Sequence, residues 1–203
     1  MLVTALIVNL LIIILEVLVL IKVKKKVDIF KYYTYLQNFL TLIVSIVFSI
    51  FLIISLVNKT EVNENIKGLR YSVTCGLVST SLIYALFISK NKDNIMNEND
   101  FNNFNPKLAN LILHYIVPFL SLISFILFER TIVLENSIWT ILCAIPSILY
   151  WIVYLLLSIT HLWKEPYNFS NNNGKKNSFL EVITFIIIPV SFILISIILW
   201  NVM

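Results

Sequence analysis

A chain of 203 residues that is 59% hydrophobic and only 13% charged departs from an ordinary soluble domain, in which about a quarter of the residues carry charge. Its mean hydropathy of +0.91 leads us to expect an integral membrane protein. The net charge of +4 falls mainly in loops, where it suits anionic lipid headgroups, and no nucleic-acid recognition motif accompanies it.

Hydrocarbon about 30 Å thick takes about 20 helical residues to cross. Six runs reach that length, roughly 2–21, 32–57, 71–89, 108–128, 137–159 and 178–202. They are continuous and lack the polar alternation of a membrane barrel. The expected fold is therefore all-α, one domain over 1–203 built as a bundle of six transmembrane helices.

The first run has no basic leader and no small-residue cleavage site, so it reads as a retained helix and not a signal peptide. It carries Asn9 and Glu16. In the second run Thr34, Asn38, Thr41, Ser45 and Ser49 step by the spacing that keeps residues on one helical stripe. The third contains Cys75 and the fifth Cys143. With no CxxC spacing between them, these read as small buried residues and not as a disulfide or zinc framework.

The fourth run centres on His114, flanked by Asn110 and Ser121. An ionisable side chain in an apolar run marks a candidate functional site, because hydrocarbon penalises it unless a partner supports it. His114 also lies four residues before Pro118, which has no backbone N–H, so the His114 carbonyl loses its helical partner. The fifth run repeats a polar seam with Ser147, Tyr150, Tyr154 and Ser158, and ends at His161. Tyr167 follows in the next loop, and Glu181 opens the sixth run. The Asn-rich stretches 91–105 and 168–177 read as connectors.

Eleven of the basic residues follow helices one, three and five, and four (Lys59, Lys67, Arg70 and Arg130) fall on the other side. The positive-inside rule then places both termini outside. Thr34, His114, Glu16, His161, Tyr167 and Glu181 share the inner end, whereas the outer half holds mainly Asn9, with Glu129 and Arg130 at its rim. Intramembrane polarity is thus expected at one end.

A threonine hydroxyl is a weak nucleophile until a base removes its proton, and histidine is the usual base near neutral pH. Thr34 and His114 supply that pair if helices two and four pack together. Asn38 and Asn110 would orient them, and the free N–H groups at the start of helix two could receive an oxyanion. With three glycines in all, the chain holds no nucleophile elbow or phosphate loop, and it has no HExxH motif. No cofactor is called for, and the two histidines and two glutamates have no recognised metal-ligand spacing.

The segment Phe30-Lys31-Tyr32-Tyr33-Thr34-Tyr35-Leu36-Gln37-Asn38 resembles the aromatic-Thr-x-x-x-Asn signature of Pr6Pr-type bacterial membrane proteins. Leu111-Ile112-Leu113-His114-Tyr115-Ile116-Val117-Pro118 resembles their LLHYxxP element, and Pro146, Tyr150 and Pro166-Tyr167-Asn168-Phe169 resemble their fifth helix and PYxF loop. The order and spacing of these elements match over most of the chain. Leu36 and Gln37 stand where bacterial members usually have Gln-Ser, and Ser170-Asn171 where an aspartate is expected. Those proteins are similar to the androgen-induced gene 1 and androgen-dependent TFPI-regulating proteins, six-helix hydrolases of fatty acid esters of hydroxy fatty acids. The resemblance implies a bacterial cell membrane, a fatty acyl ester substrate among the membrane lipids, Thr34 as nucleophile and His114 as base.

A rival expectation is a non-enzymatic bundle, a small transporter or partner-binding subunit. In it Glu16, His114, His161 and Glu181 would form a proton or cation path. Inverted repeats, a common transporter sign, are not visible in the chain, and no particular protein partner is indicated.

Overall fold

The computed structural model describes residues 1–23, 32–89, 101–129, 134–160 and 178–202. Helix α1 spans Leu2–Lys22, α2 spans Tyr33–Asn58, and α3 spans Glu64–Ile83, prolonged by a π turn at Tyr84–Ile88. Helix α4 runs over Pro106–Phe128, with π turns at Ile112–Ile116 and Ser124–Phe128. A short α5 (Trp139–Leu142), then α6 (Ile145–Ile159) and α7 (Ser178–Val202) complete the described helices. The fold is all-helical: among the described residues the one β-type pairing is the isolated bridge Val23–Phe101.

Local chemistry explains where these helices begin and break. Asn63 accepts from the Asn65 N–H, with Glu64 in the first turn, and Asn105 accepts from the Lys107 N–H, with Pro106 just inside the helix. Both are N-terminal signatures. The Asn63 cap starts α3 seven residues before the apolar run expected from residue 71, which draws Arg70 into the helix. The run expected over 137–159 is divided at Cys143 and Ala144, because Pro146 cannot donate to the Leu142 carbonyl. Lys59 adopts the left-handed conformation (φ 54°) that closes α2.

Three of the helices, Leu2–Lys22, Tyr33–Asn58 and Pro106–Phe128, are long and apolar enough to cross a membrane. Their outward faces carry exposed Ile7, Ile14, Ile21, Ile43, Ile50, Leu111 and Phe119. Hydrocarbon covers such faces without penalty, whereas water does not.

Helix α1 packs along α2, α2 along α3, and α3 along both α4 and α7, while α4 closes back on α1. Asn9 ties the first pair by donating to the Ser45 carbonyl and the Ser49 hydroxyl, both at 2.7 Å. Asn102 donates to the Lys22 carbonyl at 2.8 Å, so the end of α1 meets the approach to α4. We call this end of the bundle basal. Its core joins Val19, Leu20, Tyr35, Leu77, Phe101, Ala109 and Leu113.

Polarity is not confined to the basal end. Glu129, expected at a rim, is buried and pairs with Arg70, expected in a loop; the two side chains are 1% and 2% exposed. Arg70 Nε and Nη2 reach the carboxylate at 3.0–3.3 Å, Nη1 donates to Ser121 at 3.0 Å, and Ser124 donates to Glu129 at 2.6 Å. The guanidinium also lies 5.7 Å from the centre of the Phe48 ring. Hydropathy windows miss this cluster because Arg70 precedes the apolar run and its partner is 59 residues away in the chain.

Candidate functional site

The basal site is built from the first turns of α2, the end of α3 and the first π turn of α4. Thr34 and Asn38 are both buried, and Asn38 Nδ2 donates to the Thr34 carbonyl at 2.7 Å. The other buried threonines, Thr41, Thr74 and Thr80, each give the hydroxyl to the carbonyl four residues earlier. Thr34 has no such hydrogen bond among the described residues. The carbonyl four residues before Thr34 belongs to Phe30, outside the described residues, so its hydroxyl sits in the opening turn ahead of the helical carbonyls that occupy the others.

His114 is 2% exposed and stacks on the Tyr84 ring, with centroids 3.6 Å apart and planes inclined by 13°. Asn110 Nδ2 donates to the Tyr84 hydroxyl at 2.5 Å, so one tyrosine anchors both α4 residues. The carbonyl that Pro118 strips of its helical partner is met by Ser81, whose hydroxyl donates to His114 O at 2.6 Å. That satisfies the group the sequence marks as orphaned. The imidazole is held by its face, and Nδ1 is buried with no hydrogen-bond partner. Both Tyr84 and His114 lie in π turns, a backbone irregularity frequent at functional sites.

Helix α3 serves as a ruler for depth. Gln37 Nε2 donates to the Val73 carbonyl and its side chain lies where a Cβ on Gly76 would be, at 2.3 Å; His114 meets α3 at Ser81. Because α2 and α3 are antiparallel, the two Gln37 contacts put Thr34 level with about residues 76–79, roughly 3–8 Å in depth from the Ser81–His114 contact. Helix α2 also packs against the Ile112–Ile116 turn. Thr34 and His114 thus lie on touching elements, within about one and a half helical turns of one another in depth, and no hydrogen bond joins them among the described residues.

The remaining expected residues separate. Glu16 is fully buried on α1 with both carboxylate oxygens unpartnered. Glu181 lies in the first turn of α7, with its side chain outside the described part, and His161 and Tyr167 lie outside the described residues. Among the described residues, no group of three or more His, Cys, Asp or Glu side chains could hold a metal ion. The cysteines are both buried, as the sequence suggests.

Tyr84 and Ser81 are the site residues that the sequence does not single out. Their signal is a three-residue step on one face of α3 opposite the four-residue step of Asn110 and His114. It is visible only once α3 and α4 are known to be antiparallel neighbours. Comparison with known proteins finds no matching family model, curated protein or solved structure.

Proposed function

We propose that the protein is an intramembrane hydrolase of lipid acyl esters, with Thr34 as nucleophile and His114 as general base. The observation that carries this reading is that the Thr34 hydroxyl, with no hydrogen bond among the described residues, and the unpartnered Nδ1 of His114 lie on elements that touch where α2 meets the His114 turn. Substrate entry would draw them into a hydrogen bond, since catalytic pairs in unliganded sites often tighten only on binding. His114 would take the Thr34 proton as Oγ attacks the ester carbonyl, then return it to the leaving alkoxide. Water, deprotonated by the same ring, would release the fatty acid and restore the hydroxyl. Asn38 would hold the α2 turn, and Asn110 with Tyr84 would hold the imidazole.

The same reading takes α3, α5–α6 and α7 as further membrane crossings, giving six spans in a bacterial cell membrane. Exposed Leu86, Ile148, Ile152, Leu156, Ile186, Val190 and Ile198 support it, as does the resemblance over Thr34–Asn38 and Leu111–Pro118. The lysine and arginine bias would put the basal end in the cytoplasmic leaflet and both termini outside, so esters would enter laterally from that leaflet.

The test is turnover of a branched fatty-acid ester by the protein in lipid nanodiscs. Release of free acid should fall about 10²–10⁴-fold in Thr34→Ala and in His114→Ala. Absence of turnover in the unaltered protein, or turnover that persists in both variants, would contradict the assignment. A His114-dependent ion flux in liposomes without ester cleavage would favour the transporter alternative.

A further inference from the structure

Glu16 is fully buried on α1, and neither of its carboxyl oxygens has a hydrogen-bond partner. The contacts of Asn9 with Ser45 and Ser49 set the register of α1 against antiparallel α2, with Asn9 level with about residue 47. Seven residues farther along α1, Glu16 is therefore level with about residue 40, between Asn38 and Thr41. Those two share a buried stripe of α2 with Ser45 and Ser49, so the stripe that faces α1 at Asn9 also faces it at Glu16. Asn9 and Ser45 themselves are about two helical turns away, out of reach of the carboxyl group.

Asn38 gives one amide N–H to the Thr34 carbonyl at 2.7 Å. That bond identifies Nδ2, since an amide oxygen would repel the carbonyl, and it leaves Oδ1 buried without a partner. Thr41 gives its hydroxyl to the Gln37 carbonyl, and the second Asn38 N–H remains for a Glu16 oxygen. Among the described residues no cation pairs with Glu16: Lys22 is exposed at the end of α1, Arg70 is paired with Glu129, and the His114 ring is stacked on Tyr84. Tyr35 of α2 packs in the apolar basal core with Val19 and Leu20.

An ionised Glu16 would be an unpaired charge in an apolar interior, with one amide N–H for two oxygens, and Asn38 Oδ1 would still lack a donor. A neutral carboxylic acid removes both deficits. Its O–H is a donor for Asn38 Oδ1, and its carbonyl oxygen accepts the second Asn38 N–H, a reciprocal pairing open to an acid and an amide. The partner that this layer lacks is thus a hydrogen atom on Glu16.

We infer that Glu16 is a carboxylic acid that donates to Asn38 Oδ1 and, through the Asn38 bond to the Thr34 carbonyl, positions the opening turn of α2. Its part in hydrolysis rests on the Thr34 reading; the hydrogen bond itself does not. Glu16 touches no reacting atom and is a positioning residue. With Oδ1 held by the acid, the Asn38 amide is fixed in one rotamer and polarised toward the Thr34 carbonyl.

The proton is read by infrared spectroscopy of the full-length protein in an ester-free detergent at neutral pH. The unaltered protein should show the carbonyl stretch of a protonated carboxyl group, absent in Glu16→Gln and shifted in frequency in Asn38→Leu. No such band, a band that persists in Glu16→Gln, or one that Asn38→Leu leaves unshifted would overturn the inference. Glu16→Gln keeps a donor for Oδ1, whereas Glu16→Leu keeps only the bulk. Ester turnover in nanodiscs should therefore hold in the first and fall about fivefold in kcat, with KM unchanged, in the second. Equal turnover in the two would overturn the positioning role. If the unaltered protein cleaves no ester, the hydrolase reading fails and amide hydrogen exchange over residues 33–38 decides the positioning role in its place. Faster exchange in Glu16→Leu than in Glu16→Gln supports it, and equal rates overturn it.

Discussion

The Arg70–Glu129 cluster and the basal layer occupy the same bundle and answer the same penalty differently. At the first, each carboxylate oxygen meets donors and the guanidinium meets a carboxylate, a serine and an aromatic face. At the second, Glu16, Asn38, Asn110 and His114 all keep a buried atom without a partner. A satisfied polar network rigidifies a core, whereas each buried group left without a partner costs free energy and calls for an explanation. The contrast separates a clamp whose groups are paired from a layer whose groups keep unpaired atoms, although both contain charged or ionisable groups at depth.

The sharpest way to break this comparison is at the clamp. Glu129→Ala leaves Arg70 buried and alone, and should lower stability by about 3–5 kcal/mol in denaturant unfolding. Arg70→Met with Glu129→Leu removes both charges and should recover most of that loss. If the single and double variants unfold alike, the cluster is not a clamp. Next in size is Gly76→Ala, whose Cβ would fall 2.3 Å from Gln37 Nε2. Displacing that amide from the Val73 carbonyl should cost about 1–3 kcal/mol and disturb the α2–α3 register on which Thr34 depends. Unchanged stability and turnover there would remove the ruler from the account. The smallest effect is expected from Tyr84→Phe, which keeps the ring under His114 but takes the acceptor from Asn110, at about 1 kcal/mol. Its value lies in the split it reads: stability should move little, while ester turnover falls because the α4 residues lose a shared anchor.

Most of the helical plan is legible in the sequence because length and hydropathy carry it. The bounds of the second and sixth runs lie within one residue of α2 and α7, and the third and fifth runs differ for reasons of cap and proline chemistry at Asn63 and Pro146. The candidate site is legible by halves. Thr34, Asn38, Asn110 and His114 announce themselves by type and spacing within single helices, and the Pro118 argument correctly isolates the His114 carbonyl. Its answer, Ser81, cannot be read, since any of several hydroxyls along α3 has the right chemistry and only the pairing of α3 with α4 selects one. Arg70 and Glu129 fail for the same reason: each looks like a terminal charge until the other is placed beside it.

The most direct test of the central claim is the location of a covalent adduct. The protein in nanodiscs is treated with a fluorophosphonate carrying a fatty acyl tail, digested and mapped by mass spectrometry. The account predicts one modified residue, Thr34, with modification lost in His114→Ala and retained in Ser121→Ala, whose hydroxyl belongs to the Arg70 clamp. Modification at another hydroxyl, or at Thr34 undiminished in His114→Ala, would contradict it.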